Sequence, residues 1–406
     1  MRVIQVNKFN YLKGGAEKYF LDMTNKLRKE GHEVAIFSMK SEKNLESRWK
    51  KYFISNINFN KKTFRDILLT PGRIIYSCSA RRRFKRLVKD FKPDIVHVHN
   101  IYHQISPSIL SVAKKKKIPV IMHLHDYKLV CPNYKIFTNN KTCTACKKHK
   151  YYNCFRYSCV DSSRLRSFLA MIEMYIHHVI LKIYKKNVDL FISPSEFVKN
   201  TLVDFGWDKE KIVVINNYHE KSKDRPSHKE DNYLLYFGRL SSEKGVNTLI
   251  EAISMSQEKL KIAGRGPEKD RLISLAKKLK VGDRVEFLGF KERKELEQII
   301  NEAKAVIVPS IWPENMSLTM LEALAKGKLV IASNIGALPE IIKDGDNGLL
   351  FEAGDARGLL EKIRKLNVLD QEQMRKNAKE SVERLELNKH FEKLVEIYKG
   401  ILNNNY

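Results

Sequence analysis

The chain has 406 residues, of which 43% are hydrophobic, and this is enough for two domains that each bury a core. No run of about 18 uncharged apolar residues occurs, and the first apolar run, at residues 3–6, is strand-like, so membrane-spanning and secreted classes are excluded and a cytoplasmic protein is expected. The net charge of +28 falls mainly on residues 1–215, which hold 42 Lys and Arg against 17 Asp and Glu.

This one-sided charge predicts an anionic partner for the first half of the chain. The basic residues cluster in three runs, at residues 81–86, 114–117 and 147–150. Neither a helix-turn-helix pattern nor interleaved aromatic side chains accompany them, so nucleic acid is not expected as the partner. An anionic surface at the inner face of the cell membrane, or a lipid diphosphate, is favoured, and a merely solvated Lys-rich surface is the alternative.

Short apolar runs alternate with helical stretches along both halves, which is typical of doubly wound parallel sheets. The strand-like runs are residues 3–6, 34–37, 95–99, 120–124, 189–193 and 212–215, then 234–237, 260–263, 285–288, 305–308 and 329–332. A polar stretch at residues 216–232 separates the two groups. We therefore predict an α/β fold with an N-terminal domain over residues 1–215 and a C-terminal domain over residues 216–387.

Two features that follow strands of the first half are candidates for ligand contacts. Gly14 and Gly15 precede a predicted helix over residues 16–30, and a backbone without side chains can approach a phosphate or a sugar closely. His125 and Asp126 end a strand, at the edge of the sheet where ligands bind in such folds. An ordinary glycine-rich turn and a structural histidine are the respective alternatives.

Five of the six cysteines lie within 29 residues, in a loop over residues 131–159. They are Cys131, Cys143, Cys146, Cys154 and Cys159. The Cys143–Cys146 pair has zinc-knuckle spacing, and two of the other thiols could complete a four-thiolate site. Disulfides are disfavoured in a reducing cytoplasm. We expect either a structural zinc ion that holds this loop beside His125, or free thiols packed in the loop.

Residues 164–186 predict one long apolar helix with basic ends. Glu173, His177 and His178 argue against a membrane span. The helix is expected either to pack against the N-terminal sheet or to lie on a membrane surface.

In the second half, Arg239 and Lys244 lie five residues apart on a Gly-flanked turn after a strand. This pair suits a diphosphate, because a guanidinium can donate to two oxygens at once while an ammonium acts as a point charge.

Glu314 and Glu322 are the most informative pair of the chain. The strand at residues 305–308 ends at Pro309, a short loop carries Glu314, and a helix is predicted to begin near Ser317. Unpaired N–H groups and the positive end of the helix dipole would bind an anion there. The backbone groups at this start belong to Met316, Ser317 and Leu318. Two carboxylates roughly 12 Å apart could hold both ends of an elongated ligand with phosphates between them, as in a sugar nucleotide.

Together these motifs resemble those of the GT-B retaining glycosyltransferases of family 4 (glycosyl transferases group 1), of bacterial polysaccharide type. In chain order the motifs are Gly238-Arg-Leu-x-x-Glu-Lys-Gly245, Ala263-Gly-Arg-Gly-Pro267, Phe287-Leu-Gly-Phe290, Glu314-x7-Glu322 and Gly336-Ala-Leu-Pro-Glu340. They span most of residues 232–350, whereas the first half matches more loosely, at Gly14-Gly15, His125-Asp126 and Pro194-Ser195. The resemblance implies two Rossmann-like domains around a cleft, and an amphipathic helix over residues 388–406 that crosses back to complete the first domain.

The resemblance also implies transfer of a sugar from a UDP- or GDP-sugar, with retention, to a glycan or polyprenyl-diphosphate-linked acceptor in surface polysaccharide biosynthesis. His125 would contact the transferred sugar, Glu314 its hydroxyls and Glu322 the ribose, while Arg239 and Lys244 stabilise the departing diphosphate. No metal cofactor is expected for catalysis, because these cations and the helix dipole would do that work.

Two other classes are less favoured. A catalytically degenerate GT-B protein that binds lipid or polyanion would be expected to lack one of Arg239, Lys244, Glu314 or Glu322, and all four are present. A sugar-nucleotide epimerase would not carry these motifs in this order.

Overall fold

The computed structural model describes residues 1–56, 72–220 and 232–403. They form two six-stranded parallel sheets with helices packed on them, which confirms the predicted α/β class. A short antiparallel pair, β5 (Phe137–Thr138) and β6 (Lys141–Thr142), lies outside both sheets in the Cys-rich loop.

The N-terminal sheet is built from the predicted runs. Its strands are β1 (Arg2–Val6), β2 (Glu33–Phe37), β3 (Ile95–Val98), β4 (Val120–His123), β7 (Leu190–Ser193) and β8 (Ile212–Val214). They are ordered β2-β1-β3-β4-β7-β8. The α-helices of this half are Gly15–Lys29, Cys78–Phe91, Leu110–Lys115, Tyr152–Arg156, Arg164–Met174, Ile183–Asn187 and Glu196–Asp204. Its central strands are buried along their whole length because helices cover both faces.

The C-terminal sheet has the order β11-β10-β9-β12-β13-β14. Its strands are β9 (Tyr233–Phe237), β10 (Lys259–Ala263), β11 (Val285–Gly289), β12 (Ala305–Val308), β13 (Leu329–Ser333) and β14 (Leu349–Phe351). The strand order reverses between β9 and β12, which is the topological switch point where ligands bind in open α/β sheets. Sequence analysis missed β14, which has three residues and shows no clear alternation.

Helices cover both faces of this second sheet. They are Val246–Ser254, Lys269–Lys278, Arg293–Glu302, Leu318–Ala325, Leu338–Ile341, Ala356–Lys365 and Gln371–Val382.

The last helix, Leu387–Leu402, returns to the N-terminal sheet as expected. Its buried side chains Phe391, Leu394 and Tyr398 share a core with Val3 and Ile95 of that sheet. The expected helix over residues 388–406 therefore begins one residue earlier, and residues 404–406 lie outside the described residues. Most of the polar stretch at 216–232, namely residues 221–231, also lies outside them.

The prediction of one long helix over residues 164–186 is wrong. The α-helix Arg164–Met174 continues as a π-helical turn, Tyr175–Ile180. The helical conformation is then interrupted at Lys182, where φ is 50°. The wide turn lets both His177 and His178 face inward, although neighbours on a regular α-helix lie about 100° apart. No helix within the described residues is long and apolar enough to cross a membrane.

Candidate active site

The glycine turn of the first domain faces the helix that carries Glu322 in the second. Gly14 caps the helix Gly15–Lys29 in an extended conformation without a side-chain hydrogen bond. A Cβ added to Gly15 would lie 3.3 Å from Cδ1 of Leu318, at the start of helix Leu318–Ala325. Two helix N-termini, each with unpaired N–H groups, therefore open onto one cleft between the domains.

Glu314 is held rigidly at the floor of this cleft. Its side chain is buried, and its Oε1 accepts hydrogen bonds from Ser310 Oγ and from Lys244 Nζ, the latter at 2.6 Å. The Glu314 backbone is also confined, because a Cβ on Gly336 would lie 2.4 Å from its amide nitrogen. A glycine is required at 336, where φ is +63°.

The turn that carries Arg239 and Lys244 packs directly on the loop that carries Glu314. Gly245 has a φ of +64°, and a Cβ on it would lie 1.9 Å from the carbonyl oxygen of Pro309. The glycine therefore lets Lys244 reach Glu314 across two loops. The Arg239 side chain is exposed, and within the described residues it makes no ion pair.

Helix Leu318–Ala325 begins as the sequence indicated. Ser317 is its N-cap, and the Ser317 Oγ accepts a hydrogen bond from Met320 N at 3.3 Å. Met316 precedes the cap, and its carbonyl accepts from Asn217 Nδ2 at 3.3 Å.

Glu322 is half-buried on the same helix, and desolvation raises the pKa of its carboxyl against the opposing effect of Lys18 and Arg293. Those two cations also bind Glu220, at 2.8 and 2.7 Å, so they form a bridge between the domains beside Glu322.

His125 is attached to the Glu314 loop across the domain boundary. Asn315 Nδ2 donates to the His125 carbonyl at 2.6 Å, and the hydroxyl of Tyr127 donates to the Pro313 carbonyl at 3.0 Å. Desolvation and the nearby Lys8 lower the pKa of the His125 imidazole to about 3, so the ring is neutral at pH 7. The structure therefore brings His125, Glu314, Lys244 and the two helix starts together.

Two sets of residues in this region were missed. Lys8 and Lys13 add positive charge to the cleft, because Lys8 acts electrostatically on His125 and both Lys8 and Arg239 act on Lys13. His97, His99 and His123 lie in the strand-like runs at residues 95–99 and 120–124, and their rings pack in one cluster with His125. The i, i+2 spacing of His97 with His99 and of His123 with His125 was the signal that could have revealed this shared face.

The five clustered cysteines, Cys131, Cys143, Cys146, Cys154 and Cys159, line one small cavity. The Cys-rich loop contacts the turn that carries Arg239 and Lys244, because Lys135 Nζ lies 3.1 Å from Oε2 of Glu243 in that turn. Across residues 1–56, 72–220 and 232–403, no group of three or more His, Cys, Asp or Glu side chains is arranged to hold a metal ion. The zinc site stays a prediction.

Comparison with known proteins gives matches over both halves. The family model described as Glycosyltransferase Family 4 matches residues 13–218, just over half of the chain. The model described as Glycosyl transferases group 1 matches residues 217–385.

Among relatives, a 42.6 kDa protein in the cps region of Klebsiella pneumoniae is 25% identical over 84% of this chain and 87% of its own length. The putative colanic acid biosynthesis glycosyltransferase WcaL of Escherichia coli is 26% identical over 48% of this chain and 52% of its own length.

Solved structures share the architecture. HepE of Anabaena in complex with UDP-glucose superposes with a TM-score of 0.70 at 17% identity, covering 98% of this chain and 100% of that one. This likeness confirms the GT-B fold, and the family model that covers the first half decides the family. The chain belongs to glycosyltransferase family 4.

Proposed function

We propose that the protein is a retaining, metal-independent glycosyltransferase of surface polysaccharide biosynthesis. Its donor would be a UDP- or GDP-sugar, and its acceptor a glycan or a polyprenyl-diphosphate-linked sugar. One observation carries the proposal: the buried Glu314, paired with Lys244 at 2.6 Å, lies beside a capped helix start that faces a second helix start across the cleft. The relatives named for the cps region and for colanic acid biosynthesis support the polysaccharide context.

The donor would be held along this line of groups. Its diphosphate would lie between the N–H groups around Ser317 and Leu318 and the cations Arg239 and Lys244. Arg239 is exposed and makes no ion pair among the described residues, so it can turn to a phosphate without breaking a charged contact. Glu322, half-buried on the same helix, would hydrogen-bond the ribose. HepE was solved with UDP-glucose bound, which supports a uridine nucleotide as the first donor to test.

The sugar would be held between Glu314 and His125. Because Glu314 already accepts from Lys244 and Ser310 through Oε1, its other carboxylate oxygen can accept from a sugar hydroxyl. His125 would accept from, or donate to, a second hydroxyl as a neutral ring. Both groups are fixed by the packing of two loops, so binding would cost little further ordering.

Retention would follow from front-face attack. The bond from C1 to the diphosphate oxygen breaks, the acceptor hydroxyl forms the new bond to C1 on the same face, and its proton passes to the departing phosphate oxygen. The negative charge that develops on the diphosphate is stabilised by Lys244, Arg239 and the helix start.

Calorimetric titration of the metal-free protein with UDP, GDP, ADP and their sugar conjugates would test this proposal. We expect micromolar binding of one base, lost in Lys244→Ala. Lys304→Ala is the matched control, because Lys304 pairs with Glu258 at 2.7 Å in the same domain, away from the cleft. Binding of no nucleotide, or equal binding by Lys244→Ala and the wild type, would overturn the donor site.

We also propose that the N-terminal domain docks on the inner face of the cell membrane. Large apolar side chains are exposed on helix Tyr152–Arg156 of the Cys-rich loop and on helix Arg164–Met174 after it, among them Leu165 (67%), Phe168 (42%) and Phe155 (42%). The Phe155 and Phe168 rings touch edge to face, so the patch is continuous between two helices. Exposed basic residues occur on the same stretch of chain, namely Lys148, Lys150, Arg156, Arg164, Arg166, Lys182 and Lys186. Exposed apolar side chains together with basic ones suit an anionic lipid surface.

Co-sedimentation with vesicles would test this docking. We expect binding to phosphatidylglycerol vesicles at low salt, weak binding to phosphatidylcholine, and a loss of binding in the Leu165→Ser, Phe168→Ser double variant. Val368→Ser removes an apolar side chain that is 81% exposed in the C-terminal domain and should bind like the wild type. Equal binding by the double variant, or competition by single-stranded DNA alone, would contradict the lipid surface.

A further inference from the structure

One face of the N-terminal sheet carries a row of buried polar side chains. Register pairs Gln5 of β1 with His97 of β3, and pairs His97 with Ile121 of β4, which places His99 opposite His123. Gln5, His97 and His99 are fully buried, whereas His125, at the end of the row, is half-exposed. Uncompensated polar groups are costly in such a place, so the hydrogen bonds made by His99 and His125 define the states of these two rings.

The hydrogen bonds from Gln5 to His125 have one direction. Gln5 Oε1 lies 2.7 Å from His99 Nε2, and a carbonyl oxygen can only accept, so His99 carries its proton on Nε2. Burial lowers the pKa of His99 well below its ordinary value, which keeps the ring neutral and leaves Nδ1 as an acceptor. That Nδ1 lies 2.9 Å from His125 Nε2, so His125 donates to it and keeps its own Nδ1 as a lone pair.

The other end of the row is fixed by the terminal helix. Gln5 Nε2 donates to the hydroxyl of Tyr398 at 3.4 Å, and that hydroxyl lies 2.6 Å from His97 Nδ1. Tyr398 is fully buried on helix Leu387–Leu402. The Tyr398 hydroxyl is thus the partner of the Gln5 amide nitrogen, which leaves the amide oxygen to accept from His99.

We propose that Gln5, His99 and Tyr398 are positioning residues that hold His125 in its neutral, Nε2-protonated tautomer. In that tautomer Nδ1 of His125 accepts a hydrogen bond from a sugar hydroxyl in the cleft. The role at the sugar rests on the proposed glycosyltransferase mechanism, whereas the tautomer itself rests on the hydrogen bonds alone. The terminal helix thus contributes to the site without reaching it.

The tautomer is measured by NMR of protein labelled with ¹⁵N-histidine, with the His125 signal assigned from its disappearance in His125→Gln. At pH 7 we expect the wild-type ring to be protonated at Nε2. In Gln5→Met, which keeps the chain length but removes the amide, we expect a mixture of both tautomers. Tyr398→Phe removes one hydroxyl and keeps the packing, so it tests the same row of hydrogen bonds if Gln5→Met folds poorly. We expect a smaller change in the ratio of the two His125 tautomers.

Tyr19→Phe is the matched control. It removes another buried hydroxyl at the terminal helix, one that bonds His390 Nε2 at 2.7 Å and takes no part in the hydrogen bonds from Gln5 to His125, while it keeps the ring that packs edge to face on His125. We expect its His125 signal and its turnover to match the wild type. An Nδ1-protonated wild-type ring, or an unchanged tautomer in both Gln5→Met and Tyr398→Phe, would overturn the proposal.

Kinetics separate this inference from the proposed function. We expect kcat to fall about fivefold in Gln5→Met and about twofold in Tyr398→Phe, with nucleotide affinity unchanged. In each variant only a fraction of the molecules would keep the His125 tautomer that accepts the hydrogen bond from the sugar hydroxyl. Unchanged kcat in a variant whose tautomer has shifted would overturn the positioning role. If the wild type transfers no sugar, the proposed function fails, while the NMR result still decides the tautomer.

Discussion

The two sheets have closely related parallel orders, yet their interiors differ in chemistry. The face of the N-terminal sheet under the terminal helix buries Gln5 and three histidines, whereas residues 232–389 contain no histidine. The main core cluster of the second sheet is largely Leu, Ile, Val and Ala. In the C-terminal domain the candidate ligand groups therefore lie on turns after strands and on the helix Leu318–Ala325. In the N-terminal domain they depend on a buried polar layer. The two domains should consequently respond differently to mutation and to pH.

The largest effect should come from the charged turns of the C-terminal domain. We expect Lys244→Ala to lower kcat/KM by about 100-fold to 1,000-fold, because it removes a cation from the charge that develops on the diphosphate. Glu322→Ala should weaken donor binding in the same direction. Steady-state transfer assays with the donor identified by calorimetry would measure both. Near-normal activity of the Lys244→Ala, Glu322→Ala double variant would refute the assignment of this site.

His125→Ala should have a smaller effect and a different signature. Loss of one hydrogen bond between neutral groups is expected to lower kcat by about tenfold, with little change in nucleotide affinity. Parallel measurement of kcat and of the UDP or GDP dissociation constant would show the split. A tenfold loss of nucleotide affinity with unchanged kcat would place His125 at the nucleotide instead of the sugar.

Acid should destabilise the N-terminal domain selectively. Burial lowers the pKa of His97 to about 3 and that of His103 to about 4, from an ordinary value near 6.5. The unfolded chain therefore binds more protons below pH 6.5, and stability that is present above that pH is lost as the pH falls toward 3. Each such ring costs up to about 1.4 kcal/mol per pH unit in this window.

Hydrogen exchange at pH 7.0 and pH 5.5, corrected for intrinsic rates, would resolve the two sheets. We expect protection of β3 and β4 to fall while that of β9 and β12 changes little. A uniform loss of protection over both sheets would mean that the buried histidines do not dominate acid stability.

The smallest effect concerns the cysteine loop. A hydrogen bond from the Cys154 thiol lowers the pKa of Cys159 to about 7, whereas burial raises that of Cys131 to about 11. In a Cys78→Ser background, which removes an exposed thiol, we expect iodoacetamide at pH 7 to modify Cys159 before Cys131. Protection of all five thiols, with one zinc per chain by elemental analysis, would instead support the predicted zinc site.

Much of the fold and of the C-terminal site could be predicted because their signals are local. Strand β12, the break at Pro309 and the Ser317 cap lie within the short stretch of residues 305–317, and the glycines at 245 and 336 lie at close backbone contacts. The polar layer of the N-terminal sheet could not be predicted in the same way. It joins Gln5 to Tyr398 across 393 residues, so only the fold brings its members together.

The crossing helix also has a consequence for biogenesis. Val3, Ile95 and Ile121 pack against helix Leu387–Leu402, which follows the whole C-terminal domain in the chain. The N-terminal sheet therefore emerges from the ribosome with an apolar face that this helix cannot cover until the C-terminal domain has also been made. Maturation of the first domain is thus coupled to synthesis of the second, and release between the two would leave an apolar sheet face exposed.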